Sequence, residues 1–443
     1  MSLILKLVDK FLVYLNQRYV FIYTEVIPSN FIYKNLFSNC IFFFNQRYYK
    51  NLTKHIIKLI IKLIFDLSKI IYLPLSLLFY VSPYRFLQID YSQLGCFINQ
   101  LEVMVKYNHL RNKKSLIFVP SSQSRSHIKK IFPNLIIIDN ILLNILAQPL
   151  IQTTFVSCPV TIAEGLFDRK FNKIGKIYST KVKQDYEKKI NNSNFFKLDE
   201  NYCNEMNHLF EKRYKNFDLK KTVLLHIRDS NFNMASDLRS ASLESYNPTI
   251  EYLLANGYFV IRFLHSKSKK LEFSLNYAEI NTDELINQYF QYYLVSRSKA
   301  FINCHSGPGF IGALFDRPSL SVNHFYHFSF ANKKNDIFLL KKIKNSEGKI
   351  LNFIDLFNDN FYEKFPNSIN LMRANGYKVL ENSSDEILEA TKELIALDNK
   401  SSKKLLRNPK QELFVQSLPK TSCFRYMDSS ISNYFLKKNS QLF

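Results

Sequence analysis

Two short blocks carry side chains suited to anion chemistry. The first is His226-Ile-Arg228-Asp229, which follows the apolar run Val223, Leu224 and Leu225. A guanidinium fixed in space grips phosphate oxygens through parallel N–H bonds, and the carboxylate beside it can hold the arginine or a sugar hydroxyl. The same residues would also make a plain surface ion pair, which is worth little. The second block is Cys304-His-Ser306-Gly307-Pro308-Gly309, ahead of the apolar stretch Phe310 to Phe315. Gly307 and Gly309 let the backbone approach a ligand closely. Pro308 suits the first turn of a helix, and Ser306 could cap that helix and donate to a phosphate oxygen. An ordinary strand-to-helix turn has the same composition.

Such blocks act only if the fold holds them at one place. Val223 to Ile227 reads as a short buried strand, with the first block at its C-terminal end, where ligands bind in open α/β sheets. Tyr202 to Tyr214 reads as a helix, and 231–242 as a polar loop holding Asp237 and Arg239. Tyr246 to Asn256 is a predicted helix closed by Gly257. A strand over Tyr258 to Phe263 carries Arg262 at its end; a helix (Thr282 to Ser296) and a strand (Ala300 to Asn303) lead into the second block, and Ser319 to Val322 is one more strand.

Upstream, Arg85 to Asp90 is a predicted strand, Ser92 to Gly95 a turn and Cys96 to Tyr107 a helix whose first N–H groups could face a ligand. Ser115 to Pro120 and Leu135 to Asp139 are further strands. Strands separated by helix-length segments predict an α/β fold with parallel, Rossmann-like sheets. Asp90, at a strand end, is a candidate general base. Glu386 to Leu397 is an amphipathic helix begun by Asn382-Ser-Ser-Asp; Ser401 to Lys410 is a basic linker, and Ser429 to Phe443 is a predicted short terminal helix.

The 443 residues suffice for two or three domains. We read an extension over 1–83, one α/β domain over 84–200, a second over 201–400, and a linker and tail over 401–443. A formal charge of +23 suits nucleic acid, an anionic membrane face or phosphorylated substrates, and equally a lysine-rich solvated surface. The six cysteines (40, 96, 158, 203, 304 and 423) lack zinc-ligand spacing, which predicts a reducing compartment without disulfides. His324 and His327 have no carboxylate to complete a metal site, and none is expected. Residues 1–16 show no signal-peptide pattern. In 55–81, Lys58, Lys62, Asp66 and Lys69 share one helix face amid Ile, Leu and Phe. That helix either lies on an anionic membrane surface or packs on a core.

In combination these blocks resemble a family of bacterial glycosyltransferases found in surface-polysaccharide gene neighbourhoods. The likeness covers the C-terminal half. It runs from His226-Ile-Arg-Asp-Ser230 through Arg239, Glu244-Ser-Tyr246, Tyr252-Leu, Gly257 to Arg262, Ser306-Gly307 and Phe338-Leu-Leu-Lys-Lys to the tail over Ser430 to Leu436. Gln93-Leu-Gly95 is similar to the family's N-terminal glycine turn. The resemblance implies a GT-B architecture of two Rossmann-like domains facing a cleft. The His-x-Arg block and the Ser/Gly turn are also similar to motifs of fucosyltransferases that use a GDP-linked sugar. That likeness implies donor diphosphate on Arg228, Ser306 and Gly307. Two departures stand out: Asn303-Cys-His-Ser-Gly, where a Gly-Thr-Ser-like run is commoner, and Phe263-Leu-His-Ser266, where Met-Gly-Asp-Pro is typical.

The expected reaction is glycosyl transfer from a nucleotide sugar to a cell-surface glycan or lipid-linked acceptor, without metal or other cofactor. Arg228, Asp229, Arg239, Arg262, Ser306, Gly307 and Gly309 are the expected donor-binding residues, and Asp90, His226 and Arg228 the catalytic ones. The expected location is the cytoplasm, with peripheral contact at the inner membrane face. The rivals are a non-catalytic basic protein on membrane or RNA, and a degenerate, inactive transferase. No RNA-binding module pattern is present, so nucleic acid is not an expected partner.

Overall fold

The computed structural model describes residues 72–88, 94–119, 128–147 (without 141 and 145), 196–229, 238–304 (without 274), 306–325, 335–397 (without 358–360, 362–364 and 366–368), 408–418, 425 and 429–443. The chain divides into two units: one of 1–92, 104–126 and 135–161, the other of 93–103, 127–134 and 162–443.

In the smaller unit, helix α1 (Leu73–Val81) leads into β1 (Tyr84–Gln88). Helix α2 (Leu94–Leu110), whose residues 94–103 belong to the larger unit, then connects β1 to β2 (Lys114–Phe118), and β3 (Ile136–Ile138) follows. The three strands form a parallel sheet in the order β1-β2-β3. Phe86, Phe118 and Ala147 form one buried cluster among the described residues, against which Tyr72 and Phe79 pack. Arg85 ties off α1: its guanidinium donates to the carbonyls of Phe79 (3.0 Å), Tyr80 (2.9 Å) and Ser82 (3.2 Å), the groups a helix C-terminus leaves unpaired.

Besides the first part of α2, the larger unit holds α3 (Ile128–Ile131) and α4 (Glu200–Arg213), the latter capped by Asp199, whose carboxylate accepts the Tyr202 N–H. Strand β4 (Thr222–His226) is buried along its whole length, which its unbroken apolar run requires of a central parallel strand. Then come α5 (Asn247–Ala255), β5 (Phe259–Leu264), β6 (Tyr277–Asn281), α6 (Leu285–Arg297), β7 (Ala300–Cys304), α7 (Gly309–Leu314), β8 (Ser319–His324) and β9 (Ile337–Leu340). A two-stranded antiparallel ribbon, β10 (Lys342–Lys344) with β11 (Lys378–Leu380), brackets α8 (Phe353–Leu356) and α9 (Ile369–Ala374). Last are α10 (Ser384–Ile395), α11 (Pro409–Ser417), β12 (Ser430–Ile431) and α12 (Asn433–Lys438).

The main sheet is parallel throughout, in the order β12-β9-β8-β7-β4-β5-β6. From β4 the chain builds outward through β5 and β6. It then crosses back to β7, on the other side of β4, and builds outward through β8 and β9. The order therefore reverses between β4 and β7, and in open α/β sheets such a reversal is where ligands bind, beyond the C-terminal ends of the strands. On one face Val223, Leu225, Ile302, Leu320 and Val322 pack with Ile250 and Leu253 of α5 and Ile387, Ala390 and Leu394 of α10.

Several local expectations have physical counterparts. Gly257 adopts φ +75, with its N–H on Leu254 O (3.1 Å) and the Tyr258 N–H on Leu253 O (3.0 Å), a Schellman closure of α5. Ser383 and Glu386 cap α10 reciprocally. Both units are α/β with parallel sheets, the fold class expected. Helix α2 begins at Leu94, so Gly95 lies inside its first turn rather than ahead of it. Strands β6, β9, β10, β11 and β12 and helix α11 had no sequence reading, being short or irregular in pattern. The tail carries the expected short helix as α12 and also adds β12, which had no sequence reading, to the sheet edge. Glu393 of α10 accepts the Ser432 hydroxyl (2.8 Å) and the N–H groups of Asn433 (2.9 Å) and Tyr434 (2.8 Å), fixing the start of α12. Of the 55–81 helix only the end falls among the described residues, and none of their helices is long and apolar enough to cross a membrane.

Candidate functional site

The two sequence blocks meet. His226 ends β4 and is in register with Asn303 of β7, so the residues after each strand leave the sheet side by side. The backbone N–H of Arg228 donates to Cys304 Sγ (3.2 Å), stitching the two ends together. Arg228, Asp229, Ser306 and His226 are all buried. The meeting point is the reversal of strand order.

His226 is held as a neutral ring. Burial drives its pKa down to about 4; the Phe263 carbonyl opposes this, and Arg228 and Arg262 add to it. Nδ1 lies 3.3 Å from the Phe263 carbonyl, which can only accept, so Nδ1 carries the proton and Nε2 is left as an acceptor. Nε2 is buried and has no hydrogen-bond partner among the described residues, and neither amide atom of the fully buried Asn303 has one.

Three cations gather at Cys304. Burial pushes its thiol up to about 11, while Arg228, Arg239 and Lys341 pull the other way through their charge. Lys341 follows β9 directly, its N–H bonded to His324 O (2.9 Å) and its Nζ to Ser240 O (2.7 Å). The loop residue Ala241 returns its N–H to Arg228 O (2.9 Å), which keeps Arg239 beside the end of β4. Lys341 had no individual sequence reading. Its signal, a cation just past an apolar run, is that of Arg228, but β9 itself was not recognised as a strand.

Arg262 has a different setting. It lies within β5 rather than at its end and is fully buried. Its guanidinium bonds Glu279 (2.8 Å) and the Lys269 carbonyl (2.9 Å), and lies 3.6 Å from the Asp229 carboxylate. Asp229 also accepts the Lys269 N–H (3.1 Å). The pair Asp229–Arg262 therefore braces the segment leaving β4.

In the second block, the N–H groups of Gly309, Phe310 and Ile311 bond Ser306, Gly307 and Pro308 carbonyls (3.1, 3.1 and 3.0 Å). The turn itself thus uses those N–H groups, and not the ones of Ser306 and Gly307. No side chain caps α7, because Pro308, already helical at φ −57, stands between Ser306 and the first turn; the expected Ser306 cap is absent. The close approach expected at Gly307 is real, and what approaches is Gly95. A Cβ on Gly307 would lie 3.0 Å from Gly95 N and 3.3 Å from Leu94 Cβ, and a Cβ on Gly95 would lie 3.0 Å from Gly307 Cα.

His324 is a buried core histidine, with Ser321 Oγ 3.4 Å from Nδ1 and the Phe338 ring beside it. Asp90, Asp237, His305 and His327 lie outside the described residues. Among those described, no three His, Cys, Asp or Glu side chains group as metal ligands, and Cys203 and Cys304 are free thiols.

No family profile and no curated protein matches the chain. Among solved structures it is similar to a glycosyl transferase family 9 protein from Veillonella parvula, at 11% identity and a TM-score of 0.42 over 70% of this chain and 96% of that one. It is also similar to the ADP-heptose lps heptosyltransferase II of E. coli, at 11% identity and a TM-score of 0.39 over 58% of this chain and 89% of that one. Likenesses this distant carry no weight for activity.

Proposed function

We propose that this chain is a glycosyltransferase of GT-B type, moving a sugar from a nucleotide-sugar donor to a glycan or lipid-linked acceptor without a metal. The observation that supports this best is the bond of the Arg228 N–H to Cys304, the residue that leads into the 306–309 turn, at the reversal between β4 and β7. Arg239 and Lys341 add two further cations at the same edge.

In this reading the donor diphosphate sits on Arg228, Arg239 and Lys341 and on the N–H groups of Ser306 and Gly307. Charge grows on that diphosphate as the sugar departs with oxocarbenium character. Cations and dipoles already in place stabilise it without reorganising at the moment of reaction. Arg262 acts one step back, holding Asp229 and through it the path of Arg228. His226, neutral and with Nε2 as acceptor, suits a sugar or ribose hydroxyl rather than a phosphate. Asp90 would take the acceptor's proton.

The test is a screen of intact nucleotide sugars, GDP-linked ones first, for protection of the chain against unfolding. A ligand that binds only the folded state stabilises it by about 2.7 kcal/mol at a hundred times its Kd. We expect one nucleotide sugar to protect more than its free nucleoside diphosphate. Protection by none of them overturns the proposal.

A further inference from the structure

Helix α1 wears its apolar residues on the outside. Phe79 and Tyr72 turn inward to the Phe86–Phe118 cluster, with Phe79 and Phe86 ring centroids 4.8 Å apart. Pro74, Leu77, Leu78 and Val81 fall at i, i+3, i+4 and i+7, one stripe of the helix. That stripe is exposed: Leu77 at 57%, Leu78 at 65% and Val81 at 77%, with Leu75 and Tyr80 flanking it. Isolated surface leucines mean nothing, but a continuous apolar stripe on a helix marks an interaction face.

Charge indicates what covers it. Lys113 Nζ donates to the Ser82 carbonyl (3.0 Å) at the end of α1, and the Lys114 N–H to the Pro83 carbonyl (2.7 Å), so the segment Arg111-Asn-Lys113-Lys114 adjoins the stripe. Arg111 and Lys114 are exposed. Neither 73–88 nor 103–119 contains a single Asp or Glu. The sequence before α1 adds Lys54, Lys58, Lys62 and Lys69 among isoleucines and leucines. A protein partner would call for acidic groups matched one by one. A leaflet of anionic lipid meets both features at once, with acyl chains for the stripe and headgroup phosphates for the collar.

We propose that α1 and the Arg111–Lys114 turn form a membrane-docking surface, on which the exposed stripe enters the headgroup–acyl boundary of an anionic leaflet. The surface lies wholly within the smaller unit and does not depend on the glycosyl-transfer reading.

The test is co-sedimentation of the full chain with vesicles of phosphatidylcholine alone and of phosphatidylcholine mixed with phosphatidylglycerol. The wild type should bind the mixed vesicles and release as salt rises. Leu77→Asp with Leu78→Asp should weaken that binding about a hundredfold, given the apolar area withdrawn. Arg111→Glu with Lys114→Glu should weaken binding to the anionic vesicles only. Equal far-UV circular dichroism and unchanged unfolding midpoints show that the variants fold. Failure of the wild type to bind either vesicle overturns the proposal, as does binding that both variants retain. A dimer in solution that the Leu77→Asp, Leu78→Asp variant dissolves would also overturn it, assigning the stripe to a second copy.

Discussion

The contact between Gly95 and Gly307 makes a sharp stability prediction. An alanine methyl at 307 would sit 3.0 Å from Gly95 N and 3.3 Å from Leu94 Cβ, and one at 95 would sit 3.0 Å from Gly307 Cα and 3.2 Å from two Phe310 ring carbons. Carbon pairs prefer about 3.5–4.0 Å, so each methyl must push backbone aside. The backbone on one side is the first turn of α2 and on the other the start of α7, and neither yields alone. Overpacking of this kind costs about 1–3 kcal/mol for each single substitution. Both methyls would enter one gap, so the double variant should cost more than the sum, with a coupling of about 0.5–3 kcal/mol. Urea unfolding of wild type, Gly95→Ala, Gly307→Ala and the double variant measures this. Gly257→Ala is the control: nothing lies within 4 Å of its Cβ, but φ is +75. It should cost about 1 kcal/mol through the backbone alone and show no coupling to the others. Wild-type midpoints for both single variants, or strict additivity in the double, would refute the packing argument.

Three further outcomes are expected. His226 has a folded pKa of about 4 against an ordinary 6.5, so between those values the unfolded chain binds more protons than the folded one. Its stabilising contribution is complete above the upper value and is lost as pH falls toward the lower, an upper bound of about 3 kcal/mol; in His226→Gln, the loss of stability with pH across that window should flatten, as read from urea midpoints at several pH values. Arg262→Ala should destabilise by about 3–5 kcal/mol, since it strands the buried Asp229 carboxylate and the half-buried Glu279 one. Arg239→Ala, half-buried in a loop, should leave the unfolding midpoint within about 0.5 kcal/mol and weaken binding of nucleoside diphosphates.

Much of the larger unit was legible because its central strands are long apolar runs ended by chemically distinctive residues. Val223 to Leu225 leading into His226 and Arg228, and Ala300 to Ile302 leading into Ser306, identify themselves as strand ends. Gly257 and Ser383 marked helix limits through the backbone demands of a left-handed residue and an N-cap. The order of strands was not legible, because which strand neighbours β4 depends on packing between distant segments. Arg262 shows the limit for single residues. In sequence it is a cation near a strand end like Arg228, and only its ion pairs with Glu279 and Asp229 make it a brace. Gly307 shows another limit, since a glycine needed for close approach does not say what approaches. The strand in the tail was not legible for a related reason: β12 is two residues long and carries no period, and its place is set by β9 and Glu393.

The most direct measurement of the central claim is calorimetric titration of nucleoside diphosphates into wild type and Arg228→Ala, with circular dichroism to confirm the fold. Hydrogen bonds to charged groups contribute about 1.5–3 kcal/mol each, so loss of a two-bond grip predicts a Kd raised by about a hundredfold or more. Diphosphate binding that Arg228→Ala leaves unchanged, or no binding by the wild type, would contradict a phosphate site at the junction of β4 and β7.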